Sequence, residues 1–146
     1  MRALLKKHLK NQKGLTLIEL LAVVVILGII SAIAIPSIGG IIANTQKDAH
    51  IANAEQMVNA VKTAKATQVG DGSTYTLDQL VKEGLIEDPV MPGNKNKIYD
   101  KNLSKVTFTG SEYNVVLREV NGNKDILRKD LKDLRGENRR DGVNLP

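Results

Sequence analysis

GLTLIELLAVVVILGIISAIAIP, residues 14–36, decides how this 146-residue chain is built. Between Glu19 and Lys47 no residue is charged, a gap of 27 positions, and Leu20 to Ile35 is apolar apart from Ser31. About 20 residues of helix, rising 1.5 Å each, span the hydrocarbon core of a bilayer. Leu15 to about Ile35 meets that length if Glu19 is accommodated. The preceding leader, MRALLKKHLKNQKG, carries Arg2, Lys6, Lys7, Lys10 and Lys13 and no acid. Such a bias predicts an N-terminus in the cytoplasm and the remainder outside. The expected location is the plasma membrane as a single-pass chain, with its C-terminal part external.

The same leader explains the net charge. Lys+Arg number 21 and Asp+Glu 16, giving +5, with a pI near 9.5. All of that excess lies in residues 1–14. From Leu15 onward 16 basic side chains face 16 acidic ones, so the basic pI does not argue for nucleic-acid binding. The chain has no Cys, which excludes a disulfide framework, a thiol nucleophile and any thiolate metal site. The length suits one small domain with an appendage.

Glu19 separates three readings of the apolar run. An ordinary secretory signal has a charge-free core and an A-x-A-like cleavage site; Ala32-Ile33-Ala34 supplies the triplet, with release after Ala34 as a secreted binding module. A permanent anchor needs only the span. Neither explains a carboxylate whose insertion costs about 2.5–3.5 kcal/mol and calls for a partner. A cut between Gly14 and Leu15 supplies one. It creates an α-amino group at Leu15, four residues from Glu19 and on the same helix face. The amine is then within reach of this carboxylate or of a neighbouring subunit's.

Lys13-Gly14-Leu15-Thr16-Leu17-Ile18-Glu19-Leu20-Leu21 resembles the class III signal of type IV pilins and pseudopilins: a basic leader ending in Gly, then usually Phe-Thr-Leu-Ile-Glu and an apolar helix. Leu15 stands where Phe is usual. The resemblance implies cleavage after Gly14 by a membrane prepilin peptidase, and N-methylation of Leu15 by the same enzyme. It implies an assembly role for Glu19 in neutralising a neighbour's N-terminal amine. Pro36 falls where the family commonly has a helix-disrupting proline. The cysteine-free headpiece behind a Lys-rich leader is similar to Gram-positive and competence-type members. Implied partners are further copies of the chain, the peptidase/N-methyltransferase, the inner-membrane assembly machinery of a pilus or secretion system, and membrane lipid.

Pro36 lacks an N–H and its ring presses on the preceding turn. Gly39 and Gly40 each cost about 1 kcal/mol of helix relative to Ala. Residues 36–40 therefore read as a helix weak spot or as the end of the span. Beyond it, Ile51, Ala54, Met57 or Val58, Val61 and Ala64 recur at helical spacing and predict a stripe on which a headpiece packs.

In the headpiece, Thr76 predicts the cap of a short helix Leu77–Glu83 with Leu77, Leu80 and Val81 buried and Gly84 past its end. Gly110-Ser111 suits a type II′ hairpin turn, and Asn121-Gly122 or a neighbouring pair a type I′ turn. A two-residue loop at the first places Phe108 opposite Tyr113 and Val106 opposite Val115. At the second it places Leu117 opposite Ile126, Arg118 opposite Asp125 and Glu119 opposite Lys124. These predict a three-stranded antiparallel meander near 105–128. Residues 129–146 suit a short helix, an edge strand or a tail. Many members of the family it resembles close the C-terminal region with a disulfide, so the resemblance implies that sheet pairing or a bound ion substitutes here.

The expected architecture is α+β: a long N-terminal helix, transmembrane in its first half and amphipathic in its second, packed on a small antiparallel sheet. Its segments are a leader (1–14), an apolar assembly helix (15–42), an amphipathic half-helix (43–69) and an external headpiece (70–146). No catalytic, metal or cofactor set is read. Asp71-Gly72-Ser73 and Glu87-Asp88 lack calcium-loop spacing, and turn formation explains both. His8 lies in the leader, and His50 reads as a solvated or intersubunit polar residue. Lys95, Lys97, Lys101 and Lys105 with Tyr99 between them offer a weak DNA-backbone contact, against the plainer reading of a solvated loop. The expected function is a structural subunit, not an enzyme: a pilus or pilus-like filament for motility or adhesion, DNA uptake or secretion.

Overall fold

The computed structural model describes residues 16–70, 72–94, 96–122 and 124–146. The leader, Gly14 and Leu15 lie outside that set, as do Asp71 and Lys95. Internal packing divides the chain into two units, Met1–Gly40 and Ile41–Pro146. The first helix, α1, is assigned to Leu17–Ala66 with Pro36 inside it.

In the first unit the helix beyond Glu19 is apolar on every side, and no described residue of that unit covers it. Its large side chains are exposed from 49% at Val23 to 85% at Leu17. A helix that is apolar all round needs lipid or other helices about it. It is long and apolar enough to cross a membrane. Gly28, Gly39 and Gly40 have only open space where a Cβ would stand. No contact within the described chain requires their small size.

The second unit builds the core on the C-terminal part of α1. Ile51, Ala54, Met57, Val58, Val61 and Ala64 are all buried, as their spacing predicts, and His50 is buried with them. They share one cluster with Leu77, Leu80, Val106, Val115, Leu117 and Leu127.

The sheet is antiparallel with four strands in sequential order: β1 (Thr74–Thr76), β2 (Lys105–Thr109), β3 (Glu112–Arg118) and β4 (Asp125–Asp130). Two short helices complete it, α2 (Leu77–Lys82) and α3 (Leu131–Leu134). Thr76 caps α2 through a reciprocal box. The Gln79 N–H donates to its hydroxyl oxygen at 3.3 Å, and its own N–H donates to Gln79 Oε1 at 2.9 Å. Gly84 closes α2 at φ 68°, a conformation that suits a residue without Cβ.

Between β2 and β3 the register is the expected one, with Phe108 opposite Tyr113 and Val106 opposite Val115. Gly110 takes φ 64°, as the first central position of a II′ turn requires. Three expectations need correction. β1 adds a fourth strand to the three-stranded meander, pairing Tyr75 with Val106. Across β3–β4, Arg118 meets Asp125, but Leu117 meets Leu127 and not Ile126. A bulge lies between, and it lets the adjacent Ile126 and Leu127 both reach the interior. The tight turn falls on Val120-Asn121, where Asn121 has φ 62° and the Gly122 N–H donates to Glu119 O. Glu119 consequently misses Lys124 and pairs with Lys97 at 2.8 Å.

Candidate functional site

Two polar groupings among the described residues bear on the sites read from sequence: the start of α1 and the buried knot of His50, Asn53 and Tyr99. At the first, Thr16 and Glu19 form a capping box. The Thr16 N–H and hydroxyl both donate to Glu19 Oε2 at 2.7 Å. The Glu19 N–H donates back to the Thr16 hydroxyl oxygen at 3.3 Å. Glu19 is thus held over the first turn of the helix, where the helix dipole favours a carboxylate. Its other oxygen, Oε1, takes no hydrogen bond among the described residues. The arrangement can hold an ionised carboxylate in place and still offer one oxygen to an outside amine. Sequence reasoning assigned Glu19 a partner in the Leu15 amine and passed over Thr16. The Thr-x-x-Glu spacing was the available signal.

The second region corrects the reading of His50. Its ring is fully buried, and Nδ1 lies 2.6 Å from the Tyr99 hydroxyl. That hydroxyl oxygen accepts from Asn53 Nδ2 at 3.0 Å, and Asn53 also donates to Val90 O at 3.0 Å. With Asn53 supplying a donor, the Tyr99 hydrogen is best spent on His50 Nδ1. This assigns the neutral tautomer with hydrogen on Nε2. Nε2 itself has no partner among the described residues. Burial pushes His50 down to about 4 and Tyr99 up to about 12. The group ties α1 to the loop, so His50 is a neutral structural residue.

The lysine-rich stretch also changes character. Tyr99 is interior, Lys97 pairs with Glu119, and Lys101 pairs with Asp88 at 2.6 Å. No basic face with an aromatic platform is presented there by the described residues. Among them no group of three or more His, Asp or Glu side chains is placed to hold a metal ion. Asp88 is the partner of Lys101 and Glu87 is exposed.

The described residues thus form an α+β chain: a helix long and apolar enough to cross a membrane, led by a capped carboxylate and followed by a helix-on-sheet headpiece. Residues 9–35 match the prokaryotic N-terminal methylation motif. The chain is 36% identical to a fimbrial protein of Pseudomonas aeruginosa over 91 residues, 59% of this chain and 56% of that one. It is 48% identical over 52 residues to the type IV major fimbrial protein FimA of Dichelobacter nodosus, 36% of this chain and 33% of that one. It is 28% identical over 121 residues to the type II secretion system core protein G of Escherichia coli K12, 80% of each chain. The alignment with the Pseudomonas relative thus spans little more than half of that protein's length. No solved structure matches the chain. The chain is thus similar to these type IV fimbrial proteins over at most 59% of its length, and to a type II secretion core protein over 80% of it.

Proposed function

We propose that this chain is the structural subunit of a type IV pilus or pilus-like filament, acting by assembly and not by catalysis. It enters the plasma membrane through α1, loses its leader after Gly14 and is N-methylated at Leu15 by a prepilin peptidase/N-methyltransferase. It then leaves the bilayer for a filament at the cell surface, through pilus or secretion assembly machinery. The observation that supports this most is the apolar helix: the large apolar side chains from Leu17 to Ile42 are left exposed by the described residues, and burying that surface against like helices is strongly favourable once water is the alternative.

Glu19 supplies the register. Its Oε1, which takes no hydrogen bond among the described residues, takes the N-terminal amine of an adjacent subunit while Thr16 holds the other oxygen. Pro36, Gly39 and Gly40 act as a weak spot at which the helix adapts to its neighbours, and the open space around both glycines leaves room for an approaching helix. Replacing Glu19 by Ala tests the reading. Membrane insertion and processing persist, while filaments recovered by shearing cells fall at least tenfold. Normal filament yield from Glu19→Ala overturns the charge-pairing step.

A further inference from the structure

Asp48 and Glu55 lie seven residues apart on α1, two turns along one face. Three arginines of the C-terminal segment close on them. Arg135 Nε donates to Glu55 Oε1 at 3.1 Å. Arg139 Nε donates to Asp48 Oδ1 at 3.3 Å. Arg140 engages both oxygens of Asp48 in a two-point fork. A planar guanidinium matched to a carboxylate in this way is the strong form of an ion pair. The Arg140 fork, with Arg139 beside it, holds the Asp48 carboxyl below the usual carboxylate range.

The segment that carries these arginines is anchored at two more places. Leu134 and Val143 are buried in the core cluster. The Asn144 N–H donates to Ile126 O at 2.8 Å, and its Nδ2 donates to Asp125 O at 2.9 Å. β4 is the last strand of the sheet, so these two bonds cover carbonyls on an open edge. Such an edge invites strand pairing with another chain unless something blocks it.

We infer that residues 131–146 form an electrostatic clasp: Asp48 and Glu55 are an acidic seat on α1 that holds the C-terminal strap by Arg135, Arg139 and Arg140, and the strap shields the edge of β4. The clasp closes the headpiece of a chain that has no cysteine. Between the apolar plugs Leu134 and Val143 the stretch is held by Arg135, Arg139 and Arg140, with Lys129 Nζ donating to Asn138 O at 3.1 Å as one further tether from β4. One exposed ion pair shifts an equilibrium only about twofold, whereas three acting on one segment multiply to roughly tenfold. Salt at about 1 M shrinks the screening length to about 3 Å and weakens all three together.

The test is hydrogen exchange read by mass spectrometry on the full-length protein in detergent micelles. The amides of Arg139, Asp141, Val143 and Asn144 are all hydrogen-bonded to backbone carbonyls, so peptides from 136–146 report the strap. In the double variant D48N/E55Q these peptides exchange about tenfold faster, while β2 and β3 keep their protection. Raising salt from about 50 mM to 1 M reproduces the effect in the unaltered protein and adds little in the variant. R139Q/R140Q, which leaves α1 untouched, raises strap exchange likewise. D78N, which breaks the separate Asp78–Lys82 pair on α2, leaves it alone. Unchanged exchange of 136–146 in either double variant overturns the clasp. So does a rise spread equally over β2 and β3, or an equal rise in D78N.

Discussion

His50 gives the headpiece a pH dependence whose size follows from its burial. Its ordinary value is 6.5 and burial lowers it to about 4. Between those values the unfolded chain binds a proton that the folded chain refuses, so stability rises with pH there and falls as pH drops from 6.5 toward 4. Each unit is worth about 1.4 kcal/mol, so the whole interval costs about 3 kcal/mol. For a domain of this size that lowers the melting temperature by roughly 12–20 °C. Tyr99, pushed up to about 12, keeps its proton throughout. Asp48 is held low chiefly by Arg140. Burial opposes ionisation of Asp125, but bonds from Arg118 and Arg128 outweigh it. Both carboxylates contribute stability above the ordinary carboxylate range that is lost as pH falls through their lowered values, a window below that of His50. His50→Gln retains an acceptor for the Tyr99 hydroxyl and cannot titrate. Thermal unfolding of the full chain in detergent, followed by circular dichroism from pH 7.5 to 4.5, should show the steep loss in the unaltered protein and a nearly flat profile in His50→Gln. The same slope in both proteins refutes the assignment.

Thr16→Val removes the hydroxyl of the capping box and keeps the β-branched shape. The first-turn amides of α1 should then exchange about fivefold faster in micelles, from the usual worth of a Thr cap, and unchanged exchange contradicts the box. Leu127 is fully buried opposite Leu117. Leu127→Ala should cost about 3 kcal/mol in thermal unfolding at neutral pH, and a loss under about 1 kcal/mol would show that β4 does not sit in the core.

The elements readable from sequence were those with a local determinant. Gly110 fixes the turn between β2 and β3, and the alternation from Val106 to Val115 then leaves one register. The helix stripe from Ile51 to Ala64 follows the same logic at a different period. β3 and β4 were one residue out because Ile126 and Leu127 are both apolar: a period-two pattern cannot say which one faces inward, and the bulge admits both. β1 escaped notice because Thr74–Thr76 is only three residues long, too short for its alternation to stand out as a period; it is a strand by pairing with β2. His50 was misread for a similar reason. A lone polar residue on a helix looks solvated until Tyr99, 49 residues away in sequence, is brought against it. At the candidate site, Glu19 stood out because a charge in an apolar run is costly. Thr16 did not, because a threonine there is unremarkable until its hydroxyl is seen on the carboxylate. Residues 129–146 read as a short helix, an edge strand or a tail, and the short helix forms at Leu131–Leu134, but the arginine contacts were not legible because their partners Asp48 and Glu55 lie on α1.

The intact mass of the protein recovered from cells tests the central claim most directly. The account predicts loss of residues 1–14, leaving 132 of the 146 residues, with one added methyl group and an N-terminus at Leu15. A mature chain beginning at Ile35, after Ala34, would contradict it, because Glu19 and most of the apolar helix would then be absent from the finished protein.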